Sequence, residues 1–154
     1  MDVLYQSGDV PSQPHQPDRL GMVAPPALPP RVVAVEDDGD LLDLLIEVFS
    51  SDGFRVAPCR TLDTAIAALK RERADLVVTD ALLRDRAEFP VARWLDEHPQ
   101  PLAGIIILTG VGQAALERHA PLVARIAARV IPKPFEVDDL LQLAHILTGW
   151  PGQP

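Results

Sequence analysis

The sequence predicts an α/β domain built on a five-stranded parallel sheet, and three observations predict it. Short runs rich in β-branched residues alternate five times with segments of helical period, the alternation begins abruptly at Arg31, and reactive side chains gather where the runs end. Parallel strands need a crossover at every return, and helices are the usual crossovers, so the alternation puts helices on both faces of the sheet.

The first strand is Arg31–Val35 (RVVAV), with Glu36, Asp37 and Asp38 directly after it. Leu41, Leu44, Leu45, Val48 and Phe49 then recur at three- and four-residue spacing, the signature of an amphipathic helix. Asp38 or Asp40 is placed to cap that helix, and Gly53 stands just beyond its end, where a left-handed residue is useful. Residues 54–57 form the second strand, and Thr61 caps a helix carrying Leu62, Ala65, Ile66 and Leu69. The third strand is 75–79 (DLVVT), directly followed by Asp80, and Pro90 falls in the first turn of a third helix reaching about His98. The fourth strand, 104–108 (GIIIL), runs directly into Thr109. A fourth helix covers about 112–120, and Pro121 either ends it or opens a second piece. Residues 129–131 make the fifth strand, Lys133 lies two residues on, and Leu140, Leu141, Ala144 and Leu147 mark a final helix before Gly149.

Residues 1–30 read differently. They hold seven of the sixteen prolines, with Gln, Ser and Asp between them, and such a mix buries too little apolar surface to offset its ordering entropy. The expected organisation is a disordered Pro-rich extension over 1–30, one domain over 31–148 and a short tail over 149–154. A net charge of −8 argues against direct binding of DNA, which calls for clustered cations. The single cysteine, Cys59, excludes an intrachain disulfide and a Cys-rich zinc framework. No signal-peptide pattern opens the chain, and no apolar run approaches the ~18 residues of a membrane span, so a cytoplasmic location is expected.

Chemistry concentrates at the strand ends, where open parallel sheets collect ligands. Glu36 and Asp37, Asp80, Thr109 and Lys133 all reach that one edge. Carboxylates held close together repel by roughly 4 kcal/mol per pair at an intermediate effective dielectric, so such a site wants a cation. Oxygen ligands alone favour Mg²⁺, and a carboxylate beside it can act as a nucleophile toward phosphorus, with a lysine offsetting the developing charge. Taken singly, each residue has a plainer role: a helix-capping acid, a strand-end turn, a solvated lysine.

Four stretches in order, VVAVEDD at 32–38, DLVVTD at 75–80, IILTG at 106–110 and IPKPF at 131–135, resemble the receiver domains of bacterial response regulators. The resemblance spans about residues 31–148 and implies a flavodoxin-like sheet of order 2-1-3-4-5. It further implies that Asp80 is the phosphoacceptor and that Asp37, assisted by Glu36, binds Mg²⁺ with Asp80 and the backbone carbonyl of Leu82. Thr109 and Lys133 would bond the phosphoryl group, and the Lys133–Pro134 bond would be cis. The partners implied are a sensor histidine kinase or a histidine phosphotransfer protein upstream and a separate protein target downstream. The fourth helix, fifth strand and fifth helix would form the output surface and that of any homodimer. The protein would be a signalling domain, not a turnover enzyme. Only seven residues follow Leu147, which sets the expectation of a stand-alone receiver.

The pattern is departed from in two places. Many receivers carry proline four residues after the phosphoacceptor and glycine at about the eighth, where this chain has Arg84 and Glu88. Arg84 and Arg86 are expected to be solvated loop residues, the alternative being that they reach the acidic site and raise or lower its affinity for metal. Val130 stands where an aromatic side chain often swings inward, and a stiff valine cannot make that movement. These departures leave two rival readings open: a pseudo-receiver that binds its partner without phosphorylation, and an aspartyl-phosphate hydrolase. The second would want an acid or base at Leu82. His15, His98, His119 and His145 lack metal-ligand spacing, and Cys59, Trp94 and Trp150 read as packing residues.

Overall fold

A computed structural model of the chain describes residues 28–84 and 86–153. The Pro-rich extension expected over 1–30 therefore lies almost wholly outside the described residues, as does His15. Among the described residues the order is β1 (Arg31–Val35), α1 (Gly39–Ser51), β2 (Arg55–Cys59), α2 (Leu62–Arg71), β3 (Leu76–Asp80), α3 (Pro90–Glu97), β4 (Gly104–Thr109), α4 (Gln113–Arg125), β5 (Arg129–Pro132) and α5 (Val137–Thr148). The five strands form one parallel sheet of order β2-β1-β3-β4-β5, as expected.

Alternation along the strands divides the core in two. Val32, Ala34, Leu76, Val78, Ile106 and Leu108 face the layer of α1 and α5, meeting Leu42, Leu45, Phe49, Leu140 and Ala144. Val33, Val35, Val77, Ile105 and Ile107 face the other layer, meeting Ala65 and Leu69 of α2, Leu95 of α3 and Leu122 of α4. Both faces are covered, so strands β1 and β3 are buried throughout and β4 at all but its first residue.

Local signals explain most element ends. Asp38 caps α1, its Oδ1 accepting the N–H groups of Asp40 and Leu41 at 3.0 Å each. Thr61 and Thr64 form a reciprocal capping box on α2. Pro90 opens α3, and Gly53 and Gly149 adopt positive φ at the ends of α1 and α5.

Four expectations are corrected. Strand β2 continues through Pro58 to Cys59, because it is an edge strand and a missing N–H there breaks no ladder on its open side. Strands β3 and β4 include Asp80 and Thr109, whose backbones pair with Leu108 and Pro132. Helix α4 runs through Pro121 to Arg125, with Leu122 just beyond the proline buried on the core. In α1 the inward stripe is Leu42, Leu45 and Phe49, while Leu44 turns outward at 39% exposure.

One fastening has no counterpart in the sequence reading. Arg31 is only 4% exposed, and its guanidinium donates to Ala68 O at 3.2 Å and Glu72 O at 2.7 Å, carbonyls at the end of α2. A cation on a helix C-terminus satisfies orphan carbonyls and the helix dipole together.

Candidate functional site

The carboxyl ends of β1, β3, β4 and β5 bring Glu36, Asp37, Asp80, Thr109 and Lys133 to one edge of the sheet. One carboxylate oxygen from each of Glu36, Asp37 and Asp80 lies within 4.8 Å of the other two. Lys133 closes the group, its Nζ standing 2.5 Å from Asp80 Oδ2 and 3.2 Å from Glu36 Oε2. An all-oxygen donor set of this size suits a hard divalent cation, so these residues fit such an ion.

Burial differs sharply among the acids. Glu36 is 1% exposed and Asp80 8%, whereas Asp37 lies half-buried at the rim. Burial pushes the Glu36 carboxyl up to about 7, aided by the neighbouring Asp80 and opposed by the Asp38 N–H and by Lys133. Burial also works against the Lys133 ammonium, but its pairing with Asp80 and Glu36 wins and holds its pKa above the ordinary value.

Each group is held by its own strand end. Glu36 N–H donates to Cys59 O at 3.0 Å, and Glu36 Oε1 accepts the Asp38 N–H at 3.1 Å. Asp80 Oδ1 accepts the Leu82 N–H at 2.9 Å, which turns the chain sharply after β3. Thr109 Oγ1 accepts the Val111 N–H at 2.9 Å, so a lone pair is engaged while the hydroxyl hydrogen stays free to donate outward. The Lys133 N–H donates to Thr109 O at 2.8 Å, and the Lys133–Pro134 bond is cis, as the resemblance implied.

The acidic run after β1 thus divides its labour. Asp38 caps a helix, while Glu36 and Asp37 face the site. Cys59 is buried in the core, and burial pushes its thiol up. The described histidines serve packing and pairing: His98 stacks on Trp94, His145 pairs with Asp52, and His119 bonds Glu88.

The loop after Asp80 decides the alternative left open for Arg84 and adds a pairing of Glu88 that the sequence does not announce. Arg84 does reach the acids: its N–H donates to Asp37 Oδ2 at 2.9 Å, and its Nε lies 3.7 Å from the same oxygen. Arg86 pairs instead with Asp63, at 3.4 Å. Glu88 takes both Arg118 and His119 of α4. The signal for the Glu88 pairing was only a basic pair on a helix and an acid in a loop, too common to single out.

The site is a charged edge, not a deep cavity. A groove of about 790 Å³ lined by Leu95, Leu102, Gly104, Val123, Ile126 and Val130 lies between α3 and α4 and reaches the starts of β4 and β5, away from the acids. No helix among the described residues is long and apolar enough to cross a membrane.

Comparison with known proteins agrees with this geometry. Residues 32–145 match the family model described as the response regulator receiver domain. The chain is 28% identical over 111 residues to the response regulator receiver protein CpdR of Brucella abortus, covering 72% of this chain and 90% of that protein. It is 25% identical over 114 residues to the probable transcriptional regulatory protein TcrX of Mycobacterium tuberculosis, covering 73% of this chain but only 47% of that longer protein. Among solved structures, the signal receiver domain of a putative LuxO repressor protein from Vibrio parahaemolyticus superposes with a TM-score of 0.70 at 25% identity, over 79% of this chain and 92% of that one.

Proposed function

Because the chain belongs to the response regulator receiver domain family, we propose that it accepts a phosphoryl group on Asp80 and passes the change to a separate protein. The observation that carries this reading is the convergence of Glu36, Asp37 and Asp80 within 4.8 Å, with Lys133 bonded to Asp80.

An Asp80 carboxylate oxygen attacks phosphorus, the bond from phosphorus to the donor's leaving group breaks, and the leaving group departs with that electron pair. Glu36, Asp37, Asp80 and the Leu82 carbonyl would hold Mg²⁺, which when bound offsets charge on the phosphoryl oxygens. Lys133 already lies against Asp80 and stays as the cationic partner of the product. Thr109 would turn its hydroxyl hydrogen toward a phosphoryl oxygen, drawing the 110–112 loop with it through Val111, whose N–H its Oγ1 accepts. The donor is a phosphohistidine on a sensor kinase or phosphotransfer protein, and residues 31–148 act as the complete receiver. The Leu82 side chain supplies no acid or base, so repeated hydrolytic turnover is not expected.

The test is intact-protein mass after treating wild type and Asp80→Asn with a small acyl phosphate, with Mg²⁺ and with chelator. One phosphoryl adduct that needs both Asp80 and Mg²⁺ is expected. Folded wild-type protein that takes no adduct would instead make the chain a phosphorylation-independent binding module. Arg84 seated on Asp37 is the observation that favours that second reading.

A further inference from the structure

The three acids of the site are not equally neutralised by Lys133. Its ammonium bonds Asp80 and Glu36, and the charge beside Asp37 comes from Arg84. Two contacts converge on a single oxygen there: the Arg84 N–H at 2.9 Å and the guanidinium Nε at 3.7 Å from Asp37 Oδ2. The Arg84 side chain is 85% exposed, against 22% for Asp37, so the guanidinium leaves Asp37 without unpacking anything.

We propose that Arg84 is a built-in counter-cation of the site, which a divalent ion must displace from Asp37, so that this arginine sets the ion concentration at which the site fills. The inference rests on the reading of Glu36, Asp37 and Asp80 as the cation site. Electrostatics gives it a sign. A fixed positive charge beside one of three ligands repels an incoming divalent ion and weakens its binding. Its exposure keeps the effect modest and makes it salt-dependent, because charges in water are screened within about 10 Å at 0.1 M ionic strength. Arg84 acts through Asp37 and is a positioning residue, not a catalytic one.

The experiment titrates MnCl₂ into the full chain and follows free Mn²⁺ by electron paramagnetic resonance, comparing wild type, Arg84→Ala and Arg84→Lys. MgCl₂ competition then gives the Mg²⁺ affinity. At about 0.02 M ionic strength Arg84→Ala is expected to bind Mn²⁺ roughly two- to fivefold more tightly than wild type, and the gain should shrink at about 0.3 M. Arg84→Lys, which keeps the charge, should stay near wild type. If wild type binds Mn²⁺ and Arg84→Ala binds it no more tightly, or the gain survives high salt undiminished, the role of Arg84 is overturned. If no variant, wild type included, binds Mn²⁺ saturably, the cation site itself is overturned and Arg84 with it.

Discussion

His119 of α4 donates from Nε2 to Oε2 of Glu88 at 2.8 Å, while its ring lies on Phe89 with centroids 4.4 Å apart. Glu88 and Phe89 end the loop that starts at Asp80, and the Phe89 N–H donates back to Ala81 O at 2.7 Å. Phe89 is 1% exposed and sits at φ 56°, a conformation that costs a bulky residue energy and persists only where its surroundings hold it. The residue after the proposed phosphoacceptor is thereby tied to α4 by a short path that does not use Val130.

If these bonds hold α4 in place, Glu88→Ala should speed amide exchange across Gln113–Arg125 and leave β1 as slow as before. Peptide-resolved hydrogen–deuterium exchange reads both. Unchanged exchange in α4 would mean that Ala115 and Leu122, its buried residues, suffice.

Arg31→Ala removes a buried guanidinium from the carbonyls of Ala68 and Glu72 and should cost about 2–3 kcal/mol in urea unfolding. Arg31→Lys should recover only part, since an ammonium lacks the planar fork. A loss below about 0.5 kcal/mol would show that water replaces the arginine at the end of α2.

Glu36 makes stability depend on pH in an uncommon direction. Its folded pKa of about 7 lies above the ordinary 4.5, so between those values the folded chain binds more protons than the unfolded one. Stability should therefore fall as pH rises from 4.5 to about 7, by a cost on the order of 2–3 kcal/mol, and then level off. The lowered acids Glu72, Glu88 and Asp96 act below that window, and Lys133 acts above its ordinary 10.5. Glu36→Gln should flatten the slope in urea midpoints measured from pH 4.5 to 8. Mg²⁺ should stabilise wild type more at pH 8 than at pH 5, because the ion favours the ionised carboxylate.

Ala127 follows α4 at φ 52° and is exposed. Ala127→Gly should stabilise the fold by about 1 kcal/mol, by relieving the left-handed penalty of a Cβ, and raise Tm by about 3–5 °C. No rise in calorimetry would mean that the extra backbone freedom of the unfolded glycine chain cancels the relief.

Thr109→Ala should still take the phosphoryl adduct, since Thr109 neither attacks nor leaves. It should lose the amide shifts of residues 110–112 on phosphorylation, because Val111 would no longer follow the hydroxyl. Equal shifts in both proteins, read by NMR, would remove Thr109 from the relay.

The fold and the acid–lysine cluster were legible because they rest on local pattern. Apolar runs of strand length, Asp38 and Thr61 before helices, and Pro90 at a helix start each carry a near-neighbour cause. Once the strands lie parallel, Glu36, Asp80, Thr109 and Lys133 have nowhere to go but one edge. What escaped depends on neighbours far along the chain. Pro58 ends no strand because β2 happens to be the outer one, and Arg31 meets α2 from 37 residues away. The partners of Glu88, and the choice between the two readings of Arg84, depend on how the loop lies over the strand ends, which no periodicity encodes.

The two tryptophans make their own contacts, and Trp150 makes them far from the chemistry. Trp150 donates to Asp52 O at 3.0 Å and meets the ring of Phe54, at the foot of the sheet, while Trp94 stacks on His98 near the end of α3. A five-residue strand is about 17 Å long, so the Trp150 indole is a full strand length from Asp80. Contact quenching of Trp150 by an ion or phosphoryl group at Asp80 is therefore not expected. A change in Trp150 emission when the site is loaded would be a message carried by moving backbone, which makes that indole a detector of transmission and not of occupancy.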